Sequence, residues 1–452
     1  MADVAPAARR PGIDVLPARC AGGDDGPVPT QPADDELELI RQSGAALRVG
    51  RLSLSAGTGS YRVKASMARV ARALGVDRHE AHVTLTEITT TSHRGSSFRT
   101  EVAEVRTIGI NADRLSRLEV LASRLEADAE RGRLATVDEV NTALDDIASR
   151  PPLYPALLNA LWSAVACAAF AFLNNAGPVE IVAVAFGAGL GQLVRRALLH
   201  RGFNQFGVTM LAAATACVGY LAFVEVLFEL GATEAHHQAG YVSAVLFLIP
   251  GFALVTGALD LARLDFSAGT ARLVHALMLL TSAALALWGV SEVVGLSPDP
   301  VAPMALDPGV LLLLRFAASF LGVLGFALMF NSPWPMALGA ATVGMVANVL
   351  RLVLVDSGVV AQASAAAACL VVGLLAAVVA PRLHVPRITI SVPAVVIMVP
   401  GVTAYRAVFH LSNGETTDAL VYAVQAGLVV VSISIGLAVA RMLTDRTWAY
   451  ER

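Results

Sequence analysis

Phe247–Ala253 reads FLIPGFA, and Ile397–Thr403, 150 residues further on, reads IMVPGVT. Each holds a proline-glycine pair, Pro250-Gly251 or Pro400-Gly401, in the middle of an apolar run. Crossing a bilayer takes about 20 apolar residues. Uncharged stretches of that order lie at Leu153–Val179, Gly202–Val224, Gly240–Leu259, Ser357–Pro381 and Ala419–Ala440. Phe316–Leu350 is uncharged as well, and Asn331-Ser332-Pro333 divides it into a hairpin of two spans. Ten spans follow, near 155–174, 178–195, 206–228, 240–262, 272–294, 309–330, 334–353, 358–380, 388–409 and 419–440. A soluble helical protein has no use for so many. Five spans carry the chain forward by about the distance between the two Pro-Gly pairs, so spans 1–5 (residues 151–296) and 6–10 (residues 305–442) read as repeats. Five is odd, so the second unit enters the membrane from the opposite face. The expected fold is a polytopic α-helical membrane protein of two inverted five-helix repeats, an arrangement used by many secondary transporters.

Proline removes an amide donor and crowds the preceding turn, and glycine relaxes the backbone. Polar backbone freed at bilayer depth is tolerated only against protein or a water-filled cavity. Pro250, Gly251, Pro400 and Gly401 therefore mark either a substrate path or simple kinks for packing.

Composition agrees with the spans. Of 452 residues, 56% are hydrophobic and 15% charged, and the charges crowd into the first 150 or so. A net charge of −3 gives no electrostatic case for nucleic acid. Cys20, Cys167, Cys217 and Cys369 form no CxxC, so neither a disulfide nor a metal site is expected, and no cofactor is implied. The first residues lack the apolar core of a signal peptide. Arg150, Arg195, Arg196, Arg201, Arg263, Arg272, Arg382, Arg387, Arg441 and Arg446 fall on one side when ten spans are threaded alternately, and Arg351 is the exception. By the positive-inside rule that side is cytoplasmic, with both termini on it, in a bacterial inner membrane.

Residues 1–35, rich in Ala, Pro, Gly and Asp, read as a disordered tail, and 36–150 as a small cytoplasmic α+β domain. A helix starts near Asp34 and reaches about Val49. Gly57-Thr58-Gly59-Ser60 opens another, with Val63, Met67, Val70 and Leu74 on one face. Ser60 is its N-cap, or the turn binds an anion. Alternation over Val83–Thr89 and a run at Phe98–Ile108 suggest a hairpin, and helices follow near Ala112–Arg131 and Thr136–Ser149, the latter opened by a Thr136…Glu139 capping box.

Ionisable groups inside spans are costly and usually functional. Asp260, ten residues past Pro250, is placed to couple protons or hold a substrate amine, or it pairs with Arg263 on the next turn. Arg406, five residues after the second break, is placed to hold a carboxylate, or it snorkels outward. Arg315 is a weaker case of the same kind. Glu225 and Glu292 sit towards outer helix ends, His275 near a span start, and Asn204 with Gln205 at the head of span three, as a cap or a vestibule lining. Ser60, His79, His82, His93 and Asp113 make no Gly-x-Ser-x-Gly nucleophile elbow.

Ser60–Val63 (SYRV) with Ala71, Leu74 and Gly75, Gly109–Arg114 (GINADR), Leu248–Gly251 (LIPG) with Asp260, and Val399–Gly401 (VPG) with Tyr405 and Arg406 occur in order. Over residues 40–440 the sequence resembles the threonine/serine exporter (ThrE) family. The resemblance implies a non-enzymatic transporter, with small hydroxy amino acids as substrates and protons as the coupling ion. Relatives that resemble dicarboxylate exporters make a succinate-like cargo the alternative. A membrane-anchored hydrolase or a sensor built on the soluble domain are readings from other classes, and a homo-oligomer fits any of them.

Overall fold

The computed structural model describes residues 34–106, 109–231, 233, 239–298 and 304–449. Residues 1–33 of the expected tail, with Cys20, lie outside the described residues.

The apolar spacing over Val63, Met67 and Val70 becomes the buried face of α2 (Ser60–Ala73), packed under α1 (Asp34–Ser55). The sheet has three antiparallel strands in order, β1 (Arg78–Val83), β2 (Glu87–Arg94) and β3 (Ser97–Glu104). The single strand expected over Val83–Thr89 is therefore a turn between two strands. The Thr84 N–H donates to the Glu87 carbonyl at 2.9 Å, and the Glu87 N–H donates to Thr84 Oγ1 at 3.1 Å. Alternation ran through this turn because Val83 and Ile88 pair across it and face the same core. Two helices follow, α3 (Ala112–Glu130) and α4 (Val137–Ser149), the second capped by Thr136 Oγ1, which accepts from the Glu139 N–H at 3.2 Å.

His79 on β1 shares a hydrogen with Ser92 Oγ at 2.9 Å, and burial pushes its imidazole down from 6.5 to about 4. A depressed folded value means that the fold holds the neutral ring. The associated stability is complete above about 6.5 and is lost as pH falls towards 4. Protection of the β1 and β2 amides, taken relative to their intrinsic exchange rate at each pH, should fall as pH is lowered across that window, and His79→Gln should flatten the response.

The apolar half contains α5 (Ala156–Leu173), α6 (Pro178–His200), α7 (Gln205–Glu229), a 3₁₀ helix (Ala239–Leu248), α8 (Gly251–Ala262) and α9 (Phe266–Val294). The chain continues through α10 (Pro308–Met329), α11 (Trp334–Asp356), α12 (Ala361–Arg382), α13 (Arg387–Val396), α14 (Gly401–Ser412), α15 (Thr416–Thr444) and a short α16 (Arg446–Ala449). Among the described residues, 8 helices are long and apolar enough to cross a membrane, or 10 if each bent pair is one span. The chain is a multi-pass membrane protein.

The bends are at the two Pro-Gly pairs, 58° between the 3₁₀ helix and α8 and 52° between α13 and α14. They share one geometry. Pro250 has φ −78° and ψ 50°, Pro400 φ −80° and ψ 62°, both near the inverse γ-turn. The Gly251 N–H donates to the Ile249 carbonyl and the Gly401 N–H to the Val399 carbonyl, each at 2.8 Å. A 12-residue helix and then a 29-residue helix follow each break. The breaks also touch: a Cβ on Gly251 would lie 3.2 Å from Val396 Cγ2. Each bent pair runs the length of the helix after it. Tyr241, opening the first pair, reaches Ser291 near the end of α9 through the Tyr405 hydroxyl, at 3.4 and 3.3 Å. Arg387, opening the second, donates to Thr444 Oγ1 at the end of α15 at 2.9 Å.

Candidate substrate site

Two helix N-termini of the amino-terminal domain are plugged into the apolar half. The first N–H of α2, on Ser60, donates to both carboxylate oxygens of Asp260, at 3.0 and 3.2 Å. The cap residue is Gly59, not Ser60, and the anion on this turn is a carboxylate of the same chain. A Cβ on Gly59 would stand 2.8 Å from Asp260 Oδ1, so the approach requires glycine. Arg272 completes the cluster. Its Nε is 3.2 Å from Asp260 Oδ2, close enough for an ion pair though misaligned for a hydrogen bond, and its Nη2 donates to the Thr58 carbonyl at 2.8 Å. Asp260 is 0% exposed and Arg272 2%. Asp260 therefore pairs with Arg272 rather than with Arg263, whose guanidinium lies 5.0 Å over the Trp448 ring. Arg272 was legible only as a loop arginine marking the inner side. Around the rim, Ser60 Oγ and Lys64 both bond Asp265, the lysine at 2.8 Å, and His82 meets Ser267 at 3.2 Å.

The second plug is the N-terminus of α3. The Ala112 and Asp113 N–H groups donate to the carbonyls of Phe330 and Asn331 at the end of α10, at 3.1 and 3.2 Å. Donors left over at one helix start satisfy acceptors left over at another helix end.

Between these contacts lies a cavity of about 180 Å³ at the Pro250 break. Gly57, Leu85, Gly109 and Ile110 of the amino-terminal domain cover it, and Phe247, Pro250 and Phe330 form apolar walls. Its polar lining is Gln192, Arg195, Gln205, Thr209, Arg272 and His275. Arg195 has no ion-pair or hydrogen-bond partner among the described residues. The volume is below the roughly 300–1,000 Å³ of drug-sized sites, which sets the scale of any ligand it could hold. The other break is different. The hollow of about 530 Å³ at Pro400 and Gly401 is lined by aliphatic side chains, among them the exposed Leu277, Leu411 and Leu420, and opens towards the bilayer face.

The remaining candidates do not converge on the cavity. Arg406 donates through Nε to the Pro298 carbonyl at 2.8 Å and lies 5.8 Å from the Tyr422 ring. Arg315 is ion-paired with Asp356, Glu225 is exposed one turn before the end of α7, and Asn204 caps α7 by accepting from the Phe206 N–H at 2.9 Å. His275, Gln205 and Arg272 do line the cavity; the sequence offers Gln205 as a cap or a vestibule lining, and His275 and Arg272 only as helix-end or loop residues. No imidazole among the described residues reaches Ser60: His79 meets Ser92, His82 meets Ser267, and His93 stacks on Phe98 at 6.0 Å. Asp113 pairs with Arg117 at 2.8 Å. Sequence reasoning missed Gln192 and used Arg195 only to orient the chain; an uncharged amide within an apolar span was the available signal.

A family model described as "Putative threonine/serine exporter" matches residues 45–294, and a second, "Threonine/Serine exporter, ThrE", matches residues 315–443. The chain is 25% identical over 424 residues to a "Probable threonine/serine exporter" of Mycobacterium tuberculosis, covering 91% of this chain and 78% of that protein. It is also 25% identical over 245 residues to a "Probable succinate transporter subunit YjjP" of Klebsiella aerogenes, covering 52% of this chain and 90% of that protein. The Escherichia coli protein of the same description is 25% identical over 250 residues, 54% of this chain and 93% of its own length. No solved structure matches the chain significantly.

Proposed function

The chain belongs to the threonine/serine exporter family, and we propose that it is a secondary transporter that exports small hydroxy amino acids across the inner membrane under the proton motive force. The observation that carries this reading is the small, partly polar cavity at the Pro250 break, closed on one side by the amino-terminal domain. Each bent pair is read as a broken span, which gives ten crossings, and the matched geometry at Pro250 and Pro400 supports reading the two halves as inverted repeats. The arginine-rich side is cytoplasmic, so the amino-terminal domain and the carboxyl terminus lie inside. The covered cavity is then the cytoplasmic entrance in its closed state.

In this scheme Asp260 is the latch: while it holds the Ser60 amide and Arg272, the domain stays seated on the entrance. Loading from the cytoplasm requires the domain to lift, and release outward proceeds through rocking of the two halves about the paired breaks. Arg406, midway along α14, ties that helix to the loop at Pro298. Succinate is the second reading, favoured by the likeness to the two transporter subunits. A dicarboxylate needs two cations, and one of the two arginines at the cavity is already committed to Asp260.

The test is counterflow in proteoliposomes holding the purified protein, with labelled threonine, serine and succinate supplied separately under an imposed proton gradient. Threonine and serine should accumulate and succinate should not. Accumulation of succinate alone would transfer the assignment to the dicarboxylate.

A further inference from the structure

Asn159 and Gln192 are joined side chain to side chain inside the membrane half. Asn159 Nδ2 donates to the Met329 carbonyl at 2.9 Å, and Gln192 Nε2 donates to Asn159 Oδ1 at 2.8 Å. The order admits one arrangement. The Met329 carbonyl only accepts, so Asn159 must present its nitrogen there and its oxygen to Gln192. Gln192 must in turn present its nitrogen to Asn159, which leaves Oε1 as an acceptor facing elsewhere. That oxygen has no partner among the described residues, and Gln192 is 4% exposed. A buried acceptor left unsatisfied is destabilising and needs a reason.

One helical turn on, at the i+3 position of the same face, stands Arg195, also lining the cavity and also without a partner among the described residues. The second arginine, Arg272, is neutralised by Asp260 and bonded to Thr58. Among the described residues, the cavity lining thus holds an unpartnered cation, Arg195, and, three residues away on the same helix, Gln192 with a buried unpartnered acceptor. A planar guanidinium fork suits a carboxylate, and an amide oxygen suits an ammonium group.

We infer that Arg195 and Gln192 form the head-group subsite of the transporter, with Arg195 holding the carboxylate and Gln192 Oε1 accepting from the ammonium of a small α-amino acid. The inference rests on the export reading, and it adds that the cargo is gripped as a zwitterion at the inner end of α6. Thr209, Gln205 and His275 face the same space and are left for the side chain of the cargo.

Equilibrium binding to the purified full chain tests it, with labelled threonine displaced by three unlabelled probes: threonine, threoninol, which lacks the carboxylate, and 3-hydroxybutyrate, which lacks the amine. Arg195→Gln should weaken threonine by about tenfold or more and leave threoninol unchanged, and Arg195→Lys should recover part of the loss. Gln192→Met should weaken threonine and leave 3-hydroxybutyrate unchanged. Retained binding of the truncated probe shows that each variant is folded. Equal threonine affinity in wild type and Arg195→Gln, or no threonine binding to wild type, overturns the subsite. Selective binding losses in a protein that shows no threonine counterflow would leave the subsite standing and remove the export reading.

Discussion

Covalently tying the amino-terminal domain to α9 is expected to abolish transport. His82 on β1 and Ser267 at the start of α9 are both exposed and meet at 3.2 Å, so the double variant His82→Cys, Ser267→Cys places two reachable thiols at the rim of the covered cavity. Cys167, Cys217 and Cys369 are buried, and Cys20→Ser removes the remaining thiol. Exposed substitutions of this kind shift stability by about 0.5 kcal/mol or less, so the unlinked variant should exchange threonine at close to the wild-type rate. After reaction with a short bis-methanethiosulfonate cross-linker, which forms a disulfide to each cysteine as sulfinate leaves, counterflow should drop to background, and reduction of the linker should restore it. The physical reason is that lid opening commits or releases substrate in many closed sites, and a tether removes the open state from the ensemble. Undiminished exchange by the fully cross-linked protein would show that cargo does not pass beneath this domain.

Much of the architecture was legible because the bilayer writes it into composition. Runs of 20 apolar residues and the Pro-Gly pairs depend on short stretches of chain, and each has its counterpart in the helices and the two bends described above. The misread strand over Val83–Thr89 was also local: Val83 and Ile88 share a core across a tight turn, and period-two alternation does not register that the chain reverses between them. The site was less legible because it is built from distance. Asp260 was conspicuous, but its partners Ser60 and Arg272 are brought to it by the docking of one domain on another, and nothing in the spacing of α8 announces that. The anion-binding character of Gly57–Ser60 was readable as chemistry, whereas the identity of the anion was not. Arg195 was visible as a charge near a helix end, and only the cavity separates an arginine facing cargo from one facing lipid headgroups.

Asp260 is where the docking contact should respond most strongly to a single substitution. Asp260→Ala removes the carboxylate and leaves the Arg272 guanidinium, 2% exposed, without a counter-charge and the Ser60 N–H without an acceptor. Removing one member of a buried pair destabilises by about 3–5 kcal/mol, because the charge left behind stays desolvated. Here the loss can be relieved without unfolding: the domain lifts, water reaches Arg272, and the docked state is depopulated. Amide exchange of Gly57–Val63 in the full chain should therefore speed up by two orders of magnitude or more, since each 1.4 kcal/mol is about tenfold. Exchange within β2 and β3, whose strands pair with one another inside the sheet, should hardly change. Asp260→Asn should fall between, keeping an acceptor for Ser60 and losing the charge. Replacing both partners by apolar residues, Asp260→Leu with Arg272→Met, should restore most of the protection, because no stranded charge remains. Turnover divides the explanations further. If the latch times the opening of the entrance, Asp260→Ala and the double variant should both lose counterflow, the first by staying open and the second by staying shut. If Asp260 only fastens two domains together, the double variant should recover transport along with protection, and its recovery would refute the gate.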